Sequence, residues 1–99
     1  MSNYTFNERD EGCWADGANG DKHRQAILMD ALQAISHLYN KAKELVSEYS
    51  DGVPEEFLFE WEDEAIDLIN EHCVADMMLE MIDGDLIFHK LEDTSHKDC

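Results

Sequence analysis

The chain has 99 residues, of which 24 are acidic and 7 are Lys or Arg, so its formal net charge is −17 with neutral histidines. A chain of this length forms one small domain, near the lower limit of core size for independent stability. Nucleic acid and anionic membranes carry the same sign of charge as the chain. We therefore expect basic partners, no direct contact with nucleic acid, and no membrane association.

The apolar content predicts a folded domain despite the acidity, because apolar residues make up 43% of the chain. No apolar run approaches the roughly 20 residues of a membrane-spanning helix, and the N-terminal sequence MSNYTFNERDEGC has no secretion signal. The cysteines, Cys13, Cys73 and Cys99, are odd in number and widely spaced. They suggest no disulfide framework, so we expect a reducing, cytoplasmic location.

The N-terminal half predicts an arm followed by a long helix. Residues 1–20 are polar and rich in glycine, which is typical of an arm or loop, with Tyr4, Phe6 and Trp14 expected to pack onto the body. A helix is expected over residues 21–50, because apolar residues recur there at intervals of three and four. This seam consists of Leu28, Ala31, Ile35, Leu38, Ala42, Leu45 and Tyr49.

The C-terminal half predicts a second helix over residues 54–82, ended by the sequence DGD. Gly52 suits the C-terminal cap of the first helix, and Pro54 suits the first turn of the second. The segment 86–91, LIFHKL, is too short to distinguish a strand from a short helix, and residues 93–99 are expected to fray. The seam of the second helix consists of Leu58, Trp61, Ala65, Leu68, His72, Ala75, Leu79 and Ile82.

Together these elements predict an all-α fold, an antiparallel two-helix hairpin with short flanking elements, in which residues 21–92 form the helical domain. A lone hairpin buries one stripe of each helix, yet the second helix has a second set of apolar residues. That spare face must meet the N-terminal arm, the LIFHKL segment or a second copy of the chain, so a homodimer is one expected arrangement. The residues off the seam are Phe57, Ile66, Ile69, Cys73, Met77, Met78 and Met81.

The principal functional feature is a run of 46 residues between Lys43 and Lys90 that holds 15 acidic residues and no Lys or Arg. Like charges three or four residues apart on a helix repel by roughly 0.2–0.5 kcal/mol per pair, so this run does not optimise the stability of the chain. We therefore expect a basic partner to bind ten of these carboxylates, five of which are spaced to share one helix face. The ten are Glu55, Glu56, Glu60, Glu62, Asp63, Glu64, Asp67, Glu71, Asp76 and Glu80.

In these features the chain resembles the small acidic DNA mimics of phages and mobile elements, which include Ocr-type anti-restriction proteins and several anti-CRISPR proteins. The resemblance lies in size, charge, helical content and the acidic run EEFLFEWEDEAIDLINE. It implies a stoichiometric inhibitor without enzymatic activity, whose carboxylates imitate phosphates and occupy the DNA channel of a host nucleic-acid-binding enzyme. It also implies action in the host bacterial cytoplasm.

Three other interpretations stay open. The acids form a solvated face without a partner, as in halophilic proteins, or they belong to a helical interaction module that binds a basic partner without copying DNA. In the third interpretation, Glu60–Asp63 and Glu64–Asp67 match the E-x-x-D motif of MazG-type nucleotide pyrophosphohydrolases. The preceding helix offers only Glu44 and Glu48 in place of the second motif, E-x-x-E, which that magnesium site requires.

The sequence predicts no metal site, no cofactor and no catalytic residue. His72 lies beside Cys73, but adjacent helical residues point about 100° apart and no second Cys or His cluster is present. A di-iron bundle needs Glu three residues before a His, and no His in this chain has one. We expect His72 to be a buried or interface histidine.

Overall fold

A computed structural model describes residues 6–91, apart from the side chain of Glu8. Within these residues the chain forms a mixed α/β fold of three α-helices and a three-stranded antiparallel sheet, so the predicted all-α hairpin is wrong. Short 3-10 helices precede β1, α1 and α3. The α-helices and strands are α1 (Asp21–Ile35), α2 (Asn40–Asp51), α3 (Leu58–Glu71), β1 (Gly12–Ala15), β2 (Met77–Ile82) and β3 (Asp85–Lys90).

The sheet has the strand order β1-β3-β2, and a two-residue turn joins β2 to β3. The turn residues Asp83 and Gly84 have φ of 52° and 89°. Positive φ at both positions is the conformation of a type I′ turn, whose twist matches that of a β-hairpin. The sequence DGD therefore ends a strand and not a helix. The segment 86–91, for which strand and helix were both open, lies largely in β3.

The predicted second helix, residues 54–82, ends early, at Glu71. Immediately after α3 the chain bonds to the N-terminal segment instead of continuing its own helix. The amide of Phe6 donates to the carbonyl of His72 at 3.2 Å, and the amide of Val74 donates to the carbonyl of Phe6 at 2.9 Å. These bonds hold Cys73 in a bridge with Phe6, and a turn at Ala75 and Asp76 then leads the chain into β2.

The side chain of Asn70 joins the end of α3 to the sheet. Its Nδ2 donates to the carbonyl of Leu79 at 3.0 Å, and its Oδ1 accepts from the amide of Leu79 at 2.6 Å. β2 is an edge strand in the order of the sheet. An edge strand presents unpaired backbone groups, and Asn70 satisfies both of those of Leu79.

The predicted first helix, residues 21–50, is interrupted between Ile35 and Asn40. Tyr39 is extended, with φ of −132° and ψ of 124°, and its ring stacks on His72 with centroids 3.7 Å apart and an interplanar angle of 15°. No glycine or proline lies at this break, so we attribute it to the tertiary contact. The seam still reaches the core on both sides of the break, through Leu28, Ala31, Ile35, Ala42 and Leu45.

The predicted arm, residues 1–20, contributes to the body of the domain in its described part. It contains β1, which pairs with β3, and the buried side chain of Phe6. The ring of Trp14 contacts Phe6 and Phe88, with centroid distances of 5.5 and 5.4 Å. These three aromatic rings join the N-terminal segment to the sheet, as the sequence predicted for Phe6 and Trp14.

No helix within residues 6–91 is both long and apolar enough to cross a membrane. The predicted packing of Tyr4 and the predicted fraying of residues 93–99 fall outside the described residues.

Replacing Gly84 with alanine is expected to lower the free energy of unfolding by about 1–2 kcal/mol, because a residue with a Cβ is strained in the left-handed region. Crowding does not add to this loss, since the nearest atom to a Cβ at this position is Gly17 Cα at 3.7 Å. Asp83→Asn is the control, because asparagine tolerates positive φ, and we expect a change within about 0.5 kcal/mol. Urea denaturation measures both variants, and equal losses would contradict the type I′ turn.

Candidate functional site

Seven of the ten candidate carboxylates are exposed on one continuous segment, formed by the 3-10 helix Glu55–Phe57 and by α3. We call this set the acidic face. Five of its members, starting at Glu56, follow the spacing of three and four residues that aligns side chains along a helix. The acidic face consists of Glu55, Glu56, Glu60, Asp63, Glu64, Asp67 and Glu71.

Packing on the opposite side of α3 holds the acidic face outward. Trp61 is buried, its Nε1 donates to the carbonyl of Leu45 at 3.0 Å, and its ring lies 4.7 Å from that of Tyr49. Ala65 and Leu68 are also buried on this side. The helix is therefore amphipathic, with an apolar stripe against α2 and the core and with carboxylates in solvent. The positive end of the helix dipole also stabilises carboxylates in the first turn.

The acidic face has almost no compensating charge among the described residues. One ion pair is present, between Lys41 Nζ and Glu64 Oε1 at 3.9 Å, and both side chains are 52% exposed. An exposed pair of this length contributes little energy, because solvent screens it and two long side chains lose freedom. The negative charge of the acidic face is therefore left for solvent ions or for a partner.

Glu62, predicted to bind a partner, is not at the surface, because it is 1% exposed and paired inside the domain. Its carboxylate accepts from Arg24 Nε and Nη2 at 3.1–3.2 Å, and from Gln25 Nε2 at 3.2 Å. Arg24 Nη1 also donates to the carbonyl of Gly84 at 3.2 Å, and the hydroxyl of Tyr49 donates to Gln25 at 2.9 Å. This buried network joins α1, α2, α3 and the β2–β3 turn.

The sequence contains a signal for the Arg24–Glu62 pair. Arg24, Leu28 and Ala31 follow each other at intervals of four and three residues, which places them on one side of a helix. Leu58, Glu62 and Ala65 have the same intervals. Both charged residues therefore fall on apolar stripes, where a charge is found buried only if it is paired. Opposite charges on the two stripes predict a pair.

Asp76 and Glu80 lie away from the acidic face, because the chain leaves α3 before it reaches them. Asp76 is exposed in the turn that precedes β2. Glu80 is on β2, where its Oε1 lies 2.8 Å from His89 Nε2, and it is half-buried. Their placement on one helix with the other acids depended on the incorrect helix 54–82, whereas their role in partner binding stays a prediction.

Two large aromatic side chains are exposed within the acidic segment. Phe57 is 48% exposed and Phe59 is 68% exposed, whereas Trp61 on the same segment is 2% exposed. Of the three aromatic residues of this segment, only Trp61 is in the core. Aromatic residues are enriched in the centres of protein interfaces, so Phe57 and Phe59 add apolar contact area to a charged surface.

A cavity of about 620 Å³ opens between the start of α1 and the start of α3. We call it the α1–α3 cavity. The buried side chains of Arg24, Gln25 and Glu62 line it, together with apolar side chains and with charged side chains in solvent. Its lining also includes Asp21, Lys22, Val53, Glu55, Leu58 and Phe59.

No group of three or more His, Cys, Asp and Glu side chains within residues 6–91 is placed to hold a metal ion. The two E-x-x-D pairs of the hydrolase interpretation are exposed on α3, and Glu44 and Glu48 are exposed on α2. His72 is half-buried and stacked on Tyr39. The geometry of the described residues therefore gives the hydrolase and zinc interpretations no support.

The described cysteines differ in state. Cys73 is a free, half-buried thiol whose S–H is shared between the carbonyls of Asn70 and Met77, at 3.3 and 3.2 Å. Burial raises the pKa of the Cys73 thiol, and the negative charge of Asp76 raises it further, so a nucleophilic thiolate is disfavoured. Cys13 is disulfide-bonded, contrary to the expectation of a fully reduced set.

Comparison with protein-family models, with curated proteins and with solved structures finds no match to this chain.

Replacing Glu62 with alanine is expected to destabilise the domain by about 3–5 kcal/mol, because it leaves the Arg24 guanidinium buried without its carboxylate. Asp63→Ala, at the adjacent exposed position, is the control, with an expected change within about 0.5 kcal/mol. Urea denaturation distinguishes them. A third variant, Arg24→Met with Glu62→Leu, removes both charges and should recover part of the lost stability. If it is as unstable as Glu62→Ala, the unpaired charge of Arg24 is not the cause of the destabilisation.

Proposed function

We propose that this chain is a stoichiometric inhibitor that binds the basic, nucleic-acid-binding surface of a host defence enzyme, in the manner of an anti-restriction or anti-CRISPR protein. The observation that carries the proposal is the acidic face, seven exposed carboxylates on one segment with one weak cationic neighbour among the described residues. A surface that interacts with phosphates through lysines and arginines accepts carboxylates of similar spacing. The inhibitor acts by occupancy, in the host cytoplasm, without turnover.

The charge density of the acidic face supports a DNA-like arrangement. From Glu55 to Glu71 the chain advances 16 residues, which at about 1.5 Å per residue is about 24 Å. Seven carboxylates over this length amount to about one charge per 3.4 Å, and one strand of duplex DNA carries one phosphate per 3.4 Å of axis. A partner built to follow one strand therefore meets charges at a comparable linear density.

Electrostatics of this kind act mainly on the rate and the salt dependence of binding. The net charge of −17 attracts a basic partner from a distance and raises the association rate at low salt. Added salt screens this attraction, since the Debye length falls from about 10 Å at 0.1 M to about 3 Å at 1 M. Binding also relieves the repulsion between neighbouring carboxylates on α3.

A second candidate function is an acidic interaction module that binds a basic partner without copying DNA. The exposure of Phe57 and Phe59 favours it, because apolar anchors contribute affinity that salt does not screen. The two candidate functions differ in the interaction that contributes most of the binding free energy. In a DNA mimic it is the ion pairs of the carboxylates, and in an interaction module it is the apolar contacts of Phe57 and Phe59.

Reversing four charges of the acidic face, Glu56, Glu60, Asp63 and Asp67 to Lys, is expected to abolish capture of a nucleic-acid-binding enzyme from bacterial lysate at low salt. The wild-type chain should capture that enzyme, release it at high salt, and lose it to added duplex DNA. A matched control reverses four exposed acids elsewhere and reaches the same net charge. Its substitutions, Asp30→Lys, Glu44→Lys, Glu48→Lys and Asp51→Lys, should leave capture largely intact.

Equal loss in both four-charge variants would mean that net charge alone drives capture, and would contradict a specific acidic face. Replacing Phe57 and Phe59 with serine tests the second candidate. Capture that survives the charge reversal but is lost in the serine variant supports the interaction module, because such binding depends on apolar contact. Capture that duplex DNA does not displace also supports the module over the mimic.

A further inference from the structure

We infer that the α1–α3 cavity binds an arginine side chain presented by the basic partner. This inference rests on the proposed function, because it names the chemical group that the partner inserts beside the acidic face. Glu55 belongs both to the acidic face and to the lining of the cavity. One basic segment can therefore contact both at once.

The side chains that line the cavity carry a net charge of −1, which favours a cation over an anion among them. The charged side chains that line it are Asp21, Lys22, Arg24, Glu55 and Glu62. Arg24 and Glu62 neutralise each other as a buried pair, which leaves two carboxylates and one ammonium group. Asp21 is already bonded to Arg24 at 3.1 Å, whereas the side-chain carboxylate of Glu55 has no ion pair or hydrogen bond among the described residues. Glu55 is thus available to a cationic ligand.

The apolar wall of the cavity favours arginine over lysine. Val53, Leu58 and Phe59 line it, and the ring of Phe59 is 68% exposed. A guanidinium group is planar and weakly hydrated and stacks on an aromatic face, while its stem covers aliphatic surface. A lysine ammonium is compact and strongly hydrated, so it gains less from such a wall.

The cavity is large enough for this role, and its buried floor is preformed. Its volume of about 620 Å³ lies within the roughly 300–1,000 Å³ of pockets that hold small ligands. Its buried floor is fixed by the hydrogen bonds that Arg24 and Gln25 donate to Glu62. A preformed site loses less free energy on binding than one that must first be ordered.

The test uses N-acetyl-arginine methylamide as the probe, titrated into the full ¹⁵N-labelled chain and followed by two-dimensional NMR. We expect saturable shifts at the backbone amides of residues 20–22 and 55–59 and at the side-chain amide of Gln25. The citrulline analogue has the same shape without the charge, and it should bind about fivefold more weakly, as expected for an exposed ion pair. Equal binding of both probes, or arginine shifts spread evenly along α3, would overturn the inference.

Two pairs of matched variants locate the site. Glu55→Gln should weaken arginine binding about fivefold through loss of the exposed ion pair. Glu56→Gln, at the adjacent exposed acid that does not line this cavity, should change it by less than about twofold. Phe59→Ala should also weaken binding, whereas Phe57→Ala should not, since Phe57 is exposed outside the cavity. Inorganic phosphate that shifted the same amides in place of arginine would show an anion site and refute the proposal.

Failure of this inference is distinguishable from failure of the proposed function. The four-charge variant of the acidic face leaves Glu55 and Phe59 unchanged, so the arginine titration and the lysate capture test different residues. If the probe does not bind but capture still depends on the acidic face, the cavity inference fails and the proposed function stands. If the probe binds as expected and capture ignores the acidic face, the proposed function fails and the arginine site stands alone.

Discussion

The buried ion pair between Arg24 and Glu62 is the interaction on which the rest of the structure depends. It connects the first turn of α1 to α3, and through the carbonyl of Gly84 it also connects both to the β2–β3 turn. Burying two charges has a large desolvation cost, which close geometry and additional hydrogen bonds offset. Since the pair is almost fully buried, salt screens it much less than it screens surface charges. The position of the acidic face is therefore set by an interaction that persists under conditions that weaken partner binding.

Helix α3 combines two opposite requirements along its length. Its inner side carries Trp61, Ala65 and Leu68, which are buried, and its outer side carries most of the acidic face. Repulsion between outer carboxylates costs roughly 0.2–0.5 kcal/mol per neighbouring pair, which the inner contacts must exceed for the helix to persist. Fully burying one large apolar side chain contributes about 1.5–3 kcal/mol, so a few core residues suffice. The chain thus maintains a charged surface because its core is strong enough to support it.

The sequence predicted the parts of the fold that follow from local periodicity. Most seam positions that lie in α1, α2 and the first half of the second predicted helix are buried, and eight of the ten acids are exposed, seven of them on the acidic face. The turn at Asp83–Gly84 was predictable in principle, because the sequence DG between apolar runs is a strong hairpin signal, but Leu79 and Ile82 also fit a helical spacing. The break at Tyr39 was not predictable, since it depends on a ring contact with His72, distant in the sequence. Glu62 was assigned to the partner-binding surface because of its charge, although its position on the apolar stripe indicated burial.

The contact between Asn70 and Leu79 has a consequence for self-association. A strand at the edge of a sheet is a template on which the same strand of another molecule can pair, and such pairing leads to aggregation. By donating to and accepting from Leu79, the amide of Asn70 takes the place that a foreign strand would occupy at the middle of β2. A second copy of the chain cannot extend the sheet in register there without displacing that amide. The folded chain is thereby protected from growing into a continuous sheet at β2.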